Sequence, residues 1–214
     1  MRVVDCGGQG TDAWKSARCG VITATRMKDV CSTIKSGEAA GRRNCRAEMI
    51  CEILTGQPTD DIFVTADMLR GKELEADARR AYEMATLQIV TQVDFVLHPT
   101  NDHIGCSPDG LVGDDGMVEI KVPKTGTHLE YINMGLAPAE YRKQMNTQML
   151  CCERKWVDFV SYDPRLPYEY QLFIVRFHRD ERELILMEAT AIEFLREVYE
   201  NISNMKNKPM FIGV

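Results

Sequence analysis

Ser107-Pro108-Asp109-Gly110 and, beyond the turn residues Gly113-Asp114-Asp115-Gly116, Val118-Glu119-Ile120-Lys121-Val122 form the stretch on which the fold turns. In the second segment apolar residues alternate with Glu119 and Lys121. An extended strand therefore puts the valines and the isoleucine on one face and both ionic groups on the other. Two residues along a strand separate that ionic pair by about 6.5 to 7 Å. A hairpin closed at 113–116 brings Asp109, at the end of the preceding strand, back beside Glu119. Two carboxylates and one ammonium then converge.

On either side of this hairpin the period of the sequence changes. The runs 89–97, 103–112 and 117–122 are short and β-like, separated by turn residues after His98 and at 113–116, which predicts a three-stranded meander. Before it, helical spacing predicts a short segment at 14–18, a helix from a Thr23 N-cap towards Val30, and a helix over 38–54 stopped by Gly56. A further helix covers about 65–87, where Leu74, Ala78, Ala81, Tyr82 and Ala85 recur on one side. Residues 5–11 are glycine-rich but lack the Gly-Lys-Ser/Thr of a phosphate loop, and read as a flexible lead-in. After the hairpin, Pro138 suits the first turn of a helix with Tyr141, Met145, Met149 and Cys152 on one stripe. Strands near 156–162 and 170–178 follow, then an amphipathic helix over roughly 181–204. Helices, meander, helix, strand pair and helix in that order predict an α/β fold, a mixed central β-sheet flanked by helices.

A chain of 214 residues, 44% hydrophobic, buries one substantial core and is too short for two, so a single domain over 1–214 is expected. The formal charge of −6 excludes a surface that is basic throughout, so any nucleic-acid contact must use a local patch. Arg42, Arg43, Arg46, Arg79, Arg80, Arg142, Lys143, Arg154 and Lys155 occur in small groups that suit a groove, although solvated helix faces also explain them. The eight cysteines show no Cys-x-x-Cys pair or finger spacing, which argues against zinc and iron–sulfur sites and for reduced thiols in or near the core. With neither a leader pattern nor an apolar run of membrane-spanning length, the expected compartment is the cytoplasm.

Phosphodiester hydrolysis needs oxygen ligands for a hard divalent cation and a cationic group for the attacking water or the phosphate. Asp109 and Glu119 can hold Mg²⁺, with Mn²⁺ as substitute, and the main-chain carbonyl of Ile120 can add a ligand. Lys121 can orient the water or stabilise developing charge. One or two ions would both suit the residues. Acidic turns and Glu-x-Lys on a solvated strand are common, so this pattern alone does not decide. Glu75, in Gly71-Lys-Glu-Leu-Glu75, offers a third carboxylate, or simply complements the dipole at a helix start. Gln144, one turn from Tyr141, offers an amide that can reach the strand bearing Glu119 and Lys121, or is an ordinary surface glutamine. His98, Asp102 and His103 fit no strong ligand spacing.

Taken together, these segments resemble the phage lambda-type alkaline exonucleases, the YqaJ-like viral recombinase group with a restriction-endonuclease-like core. The resemblance rests on Trp14 with Arg18-Cys-Gly-Val-Ile-Thr-Ala-Thr25, Gly71-Lys-Glu-Leu-Glu75 with Tyr82, Ser107-Pro-Asp-Gly, Glu119-Ile-Lys-Val-Pro, the glutamine helix, and Ser161-Tyr-Asp-Pro-Arg165. It implies Mg²⁺-dependent 5′ to 3′ digestion of one strand of duplex DNA from its end, releasing mononucleotides and leaving a 3′ strand for recombination. Asp109, Glu119 and Lys121 fall on the catalytic positions of that family and Glu75 on its additional acidic position. Gln144 falls on the first glutamine of a Gln-x-Gln motif whose second glutamine is Asn146 here. Arg18 and Thr25, with Ser107 assisting, fall where the family holds the terminal 5′-phosphate, a chemistry that suits a guanidinium flanked by hydroxyls. Met68, just before Gly71, falls where the resemblance implies an apolar wedge at the terminal base pair, although a core methionine explains it as well. The resemblance further implies a ring-shaped homotrimer, processive digestion, a single-strand annealing protein as partner, and a phage or prophage protein in a bacterial host.

Two rival readings make different demands. A site-specific endonuclease of the same class would cut closed circular DNA. A non-catalytic end binder would retain the fold without needing Asp109, Glu119 and Lys121. An iron–sulfur exonuclease is disfavoured by the cysteine spacing.

Overall fold

The computed structural model describes residues 1–59 and 65–208. In chain order the elements are β1 (Arg2–Val4), α1 (Asp12–Ala17), β2 (Ile22–Thr23), α2 (Met27–Val30), α3 (Ala40–Thr55), α4 (Ala66–Thr86), β3 (Val90–Thr91), β4 (Phe95–Leu97), β5 (Ile104–Cys106) and β6 (Gly110–Val112). They continue with β7 (Gly116–Lys121), α5 (Thr125–Met134), α6 (Arg142–Cys152), β8 (Trp156–Tyr162), β9 (Leu172–His178) and α7 (Glu181–Lys206). Short 3-10 turns lie at Ala139–Tyr141 and Tyr168–Tyr170. Among the described residues no helix is long and apolar enough to cross a membrane.

The strands form two sheets, β3-β6-β7-β8-β9 and β1-β4-β5-β2, rather than one containing a continuous meander. The runs 89–97 and 103–112 each break in the middle, and their halves join different sheets. Asp94 sits in the first break and spends its carboxylate on the N–H groups of Cys6 and Gly8, at 2.8 and 3.4 Å. Pro108 sits in the second, where it has no N–H to extend a ladder. That second break delivers Asp109 to the start of β6. The first glycine-rich residues are likewise held: β1 pairs with β4, Asp94 grips residues 6–8, and Gln9 donates to the Pro108 carbonyl at 3.2 Å. They are a tethered loop, not a free lead-in. Thr23 pairs in β2 alongside β5, so α2 begins only after Arg26.

β6 and β7 run antiparallel with Gly110 opposite Val118 and Val112 opposite Gly116. Close approach needs glycine at both ends: a Cβ on Gly110 would lie 2.1 Å from Val90 Cγ1, and one on Gly116 would lie 2.0 Å from the Trp156 ring. β7 and β8 are parallel, so the chain must cross over between them, and α5 and α6 make that crossing. α5 had no clear signal in the sequence, because only His128 and Tyr131 of its ten residues are buried.

The five-stranded sheet is covered on both faces. Val118 and Ile120 of β7 pack with Val160 and Tyr162 of β8 against Ala78 and Tyr82 of α4. Met117, Val157 and Phe159 face the other way, against Tyr131, Met145 and Met149, with α7 completing that layer. Each fully buried side chain of this kind contributes about 1.5–3 kcal/mol. Glu119 and Lys121 share the Met117 face by strand alternation, and so point towards α6.

Candidate active site

The β6–β7 register, carried one residue beyond Gly110, stands Asp109 opposite Glu119 on the same face. Asp109 Oδ2 accepts the Ile120 N–H at 2.6 Å, which fixes the carboxylate against the strand. Glu119 is 1% exposed. Its Oε1 accepts Gln144 Nε2 at 2.6 Å and pairs with Lys121 Nζ, while Oε2 accepts Gln148 Nε2 at 2.5 Å. Lys121 Nζ also lies 4.9 Å from the centroid of the Tyr141 ring.

These contacts set the electrostatics. Burial pushes the Asp109 carboxyl well above the usual carboxylate range, and Glu119 and Glu75 push it further, while Lys121 and the Ile120 N–H oppose them. Burial alone would lower Lys121, but the Glu119 and Asp109 carboxylates outweigh it and hold the ammonium above its ordinary value. Glu75 reaches the site from α4: it lines one cleft with Asp109, Lys72 and Gln92, and its Oε1 accepts Arg79 Nη2 at 2.7 Å.

Among the described residues no group of three His, Cys, Asp or Glu gathers around a common point. The donors that Asp109, Glu119 and the Ile120 carbonyl offer are oxygens, which suit Mg²⁺ or Mn²⁺ over softer ions. Burial, with repulsion from Glu119 added to it, raises Asp109, and a bound divalent cation would favour the ionised carboxylate again.

Arg18 and Thr25 line one cavity, together with Lys15, Arg26 and Lys28. Thr25 and Lys28 also line a second cavity with Tyr141 and Gln144, so the two adjoin. The Arg18 guanidinium lies 4.1 Å over the Trp14 ring, and the Trp14 indole N–H donates to Ser107 Oγ at 2.8 Å. Ser107 lines neither cavity and joins the group through Trp14. Met68 lies in the first turn of α4, and its side chain is outside those described.

Two features around the site have no reading in the sequence. Gln148 is the second amide on Glu119, one helical turn beyond Gln144; Asn146 instead turns to Glu183 at 3.0 Å. Residues four apart share a helix face and residues two apart do not, so the Gln144–Gln148 spacing was the available signal. Glu52, 2% exposed, clamps Arg26 at 2.6 and 2.9 Å and accepts the Gly20 N–H at 2.7 Å, bracing the segment that carries Thr23 and Thr25. Thr59 Oγ1 adds a bond at 2.9 Å. No local pattern marks that contact, which spans α3 and the loop before α2.

The family pattern of a YqaJ-like viral recombinase domain matches residues 13–155. The chain is similar to the alkaline exonuclease LHK-Exo of Laribacter hongkongensis, with 46% identity over 92% of this chain and 96% of that one, and a TM-score of 0.84. Against LHK-Exo in complex with dAMP the identity and coverage are the same and the TM-score is 0.85. A phage-related exonuclease from Haemophilus somnus shares the fold, with a TM-score of 0.66 at 16% identity over 86% of this chain and 96% of that one. No curated protein matches the chain.

Proposed function

Because the chain belongs to the YqaJ-like viral recombinase family, the lambda-type exonucleases that act on DNA, we propose that it digests one strand of linear duplex DNA from the 5′ end, releasing mononucleotides. The 3′ strand left behind would enter recombination through a single-strand annealing partner. One observation carries this reading: Asp109, Glu119 and Lys121 meet at the open end of a single hairpin, with Glu119 fixed by glutamine amides from α6.

Asp109, Glu119 and the Ile120 carbonyl are the proposed ligands of Mg²⁺ or Mn²⁺, with Glu75 at their edge. A divalent cation there would neutralise charge on the scissile phosphate. Lys121 has three ammonium N–H bonds and directs one at Glu119. The others can orient a water or meet a phosphate oxygen as charge develops. The Arg18 and Thr25 cavity adjoins the one at Gln144, which supports a 5′ end seated one step from the scissile bond. The complex of LHK-Exo with dAMP supports a mononucleotide product.

A ring-shaped homotrimer would reconcile a net charge of −6 with a DNA channel if its basic groups lined the inner surface. Free cysteines throughout fit a reducing bacterial cytoplasm, as expected of a phage or prophage protein.

With Mg²⁺, purified protein should shorten end-labelled linear duplex and leave closed circular DNA intact. Lys121→Ala should lower the rate by about 10²- to 10³-fold. Cutting of closed circles would favour a site-specific endonuclease, and unchanged activity in the Lys121 variant would remove the mechanism.

A further inference from the structure

We propose that Gln148 is a positioning residue for Glu119, forming with Gln144 a two-amide clamp that sets the carboxylate in one orientation for a cation. The inference rests on the nuclease reading above. An ionised carboxylate has about four lone-pair sites. Gln144 and Lys121 address Oε1 and Gln148 addresses Oε2, which leaves one site on Oε2. The clamp thereby selects which oxygen of Glu119 faces a cation.

Gln148 differs from its partner in ways that suit this task. It is 0% exposed and sits in the interior of α6, whereas Gln144 is half-buried at the edge of a cavity. Among the described residues its own Oε1, which is buried, has no hydrogen-bond partner. A buried carbonyl left unpaired works against stability, and turning the amide over would set that oxygen against the Glu119 carboxylate. Only the NH₂ end can meet an anion, so the side chain has a single workable orientation. An apolar residue of equal length would fill the same space without an unpaired oxygen. A glutamine here therefore fits the needs of Glu119 better than the needs of packing.

Gln148→Met, which keeps length and removes the donor, separates the two roles. Its melting temperature should stay close to that of the wild type, because losing the unpaired amide oxygen offsets the bond that Glu119 Oε2 gives up. Its kcat on 5′-phosphorylated linear duplex should fall about 10- to 100-fold, with KM for DNA ends within about twofold. Mn²⁺ alone, titrated calorimetrically into DNA-free protein, should bind about 10-fold more weakly. Should that variant not fold, Gln148→Asn, whose amide stops one methylene short, carries the same expectation. Wild-type kcat and Mn²⁺ affinity in either folded variant would overturn the clamp while leaving the nuclease reading intact. A wild-type protein that fails to digest linear DNA would remove that reading itself.

Discussion

Arg18 is held flat by stacking on Trp14, and Trp14 is held in turn by Ser107. A guanidinium already oriented by an aromatic face loses less freedom when it binds a phosphate dianion through paired, charge-assisted bonds. The Thr25 hydroxyl, 3.1 Å from that of Thr23, borders the same cavity. On this geometry a 5′-phosphorylated duplex should be digested faster than its 5′-hydroxyl counterpart. Arg18→Ala should slow the phosphorylated substrate by about 10-fold or more, the scale of one lost charge-assisted contact, and leave the hydroxyl substrate unchanged. Initial rates on the two substrates measure this, and equal wild-type rates would count against the pocket.

Among the elements, α3 braces that pocket through one buried carboxylate. Burial alone would raise Glu52, but Arg26, the Gly20 N–H and Thr59 outweigh it and hold the carboxyl at about 2, against an ordinary 4.5. A depressed carboxyl contributes stability that is present above its unfolded value and is lost as the pH falls through its folded one. The contribution is on the order of 3 kcal/mol at pH 7. Urea unfolding of Glu52→Gln should therefore show a deficit of that order at neutral pH that shrinks between about pH 4.5 and 2. A deficit that stays constant across this range would mean that the pair with Arg26 is not its source. The same loss should loosen residues 20–26 and so weaken the phosphate preference before it touches the carboxylates on β7.

At the scale of the whole molecule, the proposed ring-shaped homotrimer would reconcile the acidic balance with the proposed DNA substrate by pooling cations from several chains. Sedimentation should give a particle of three times the 24.3 kDa chain mass. A closed ring should also continue along one DNA molecule after excess unlabelled duplex is added, because release requires the end to be reached. A monomer that stops at the moment of challenge would argue for an open, distributive enzyme.

Asp109, Glu119 and Lys121 were legible in the sequence because a hairpin is local: alternation fixes the face, turn residues fix the fold-back, and residues 109–121 contain all three. The long helices α3, α4, α6 and α7 were legible for the same reason, each carrying its own period and stops. What the tertiary structure alone decided depends on partners distant in the chain. Phe95–Leu97 leaves the meander because Arg2–Val4 supplies it with another edge, some ninety residues away. Thr23 becomes a strand residue because β5 lies beside it, and Gln148 acquires a role only when the crossover through α5 and α6 lays it on Glu119. Apolar periodicity records that a residue is buried and on which face, but not against which neighbour. That choice belongs to the packing of the whole chain.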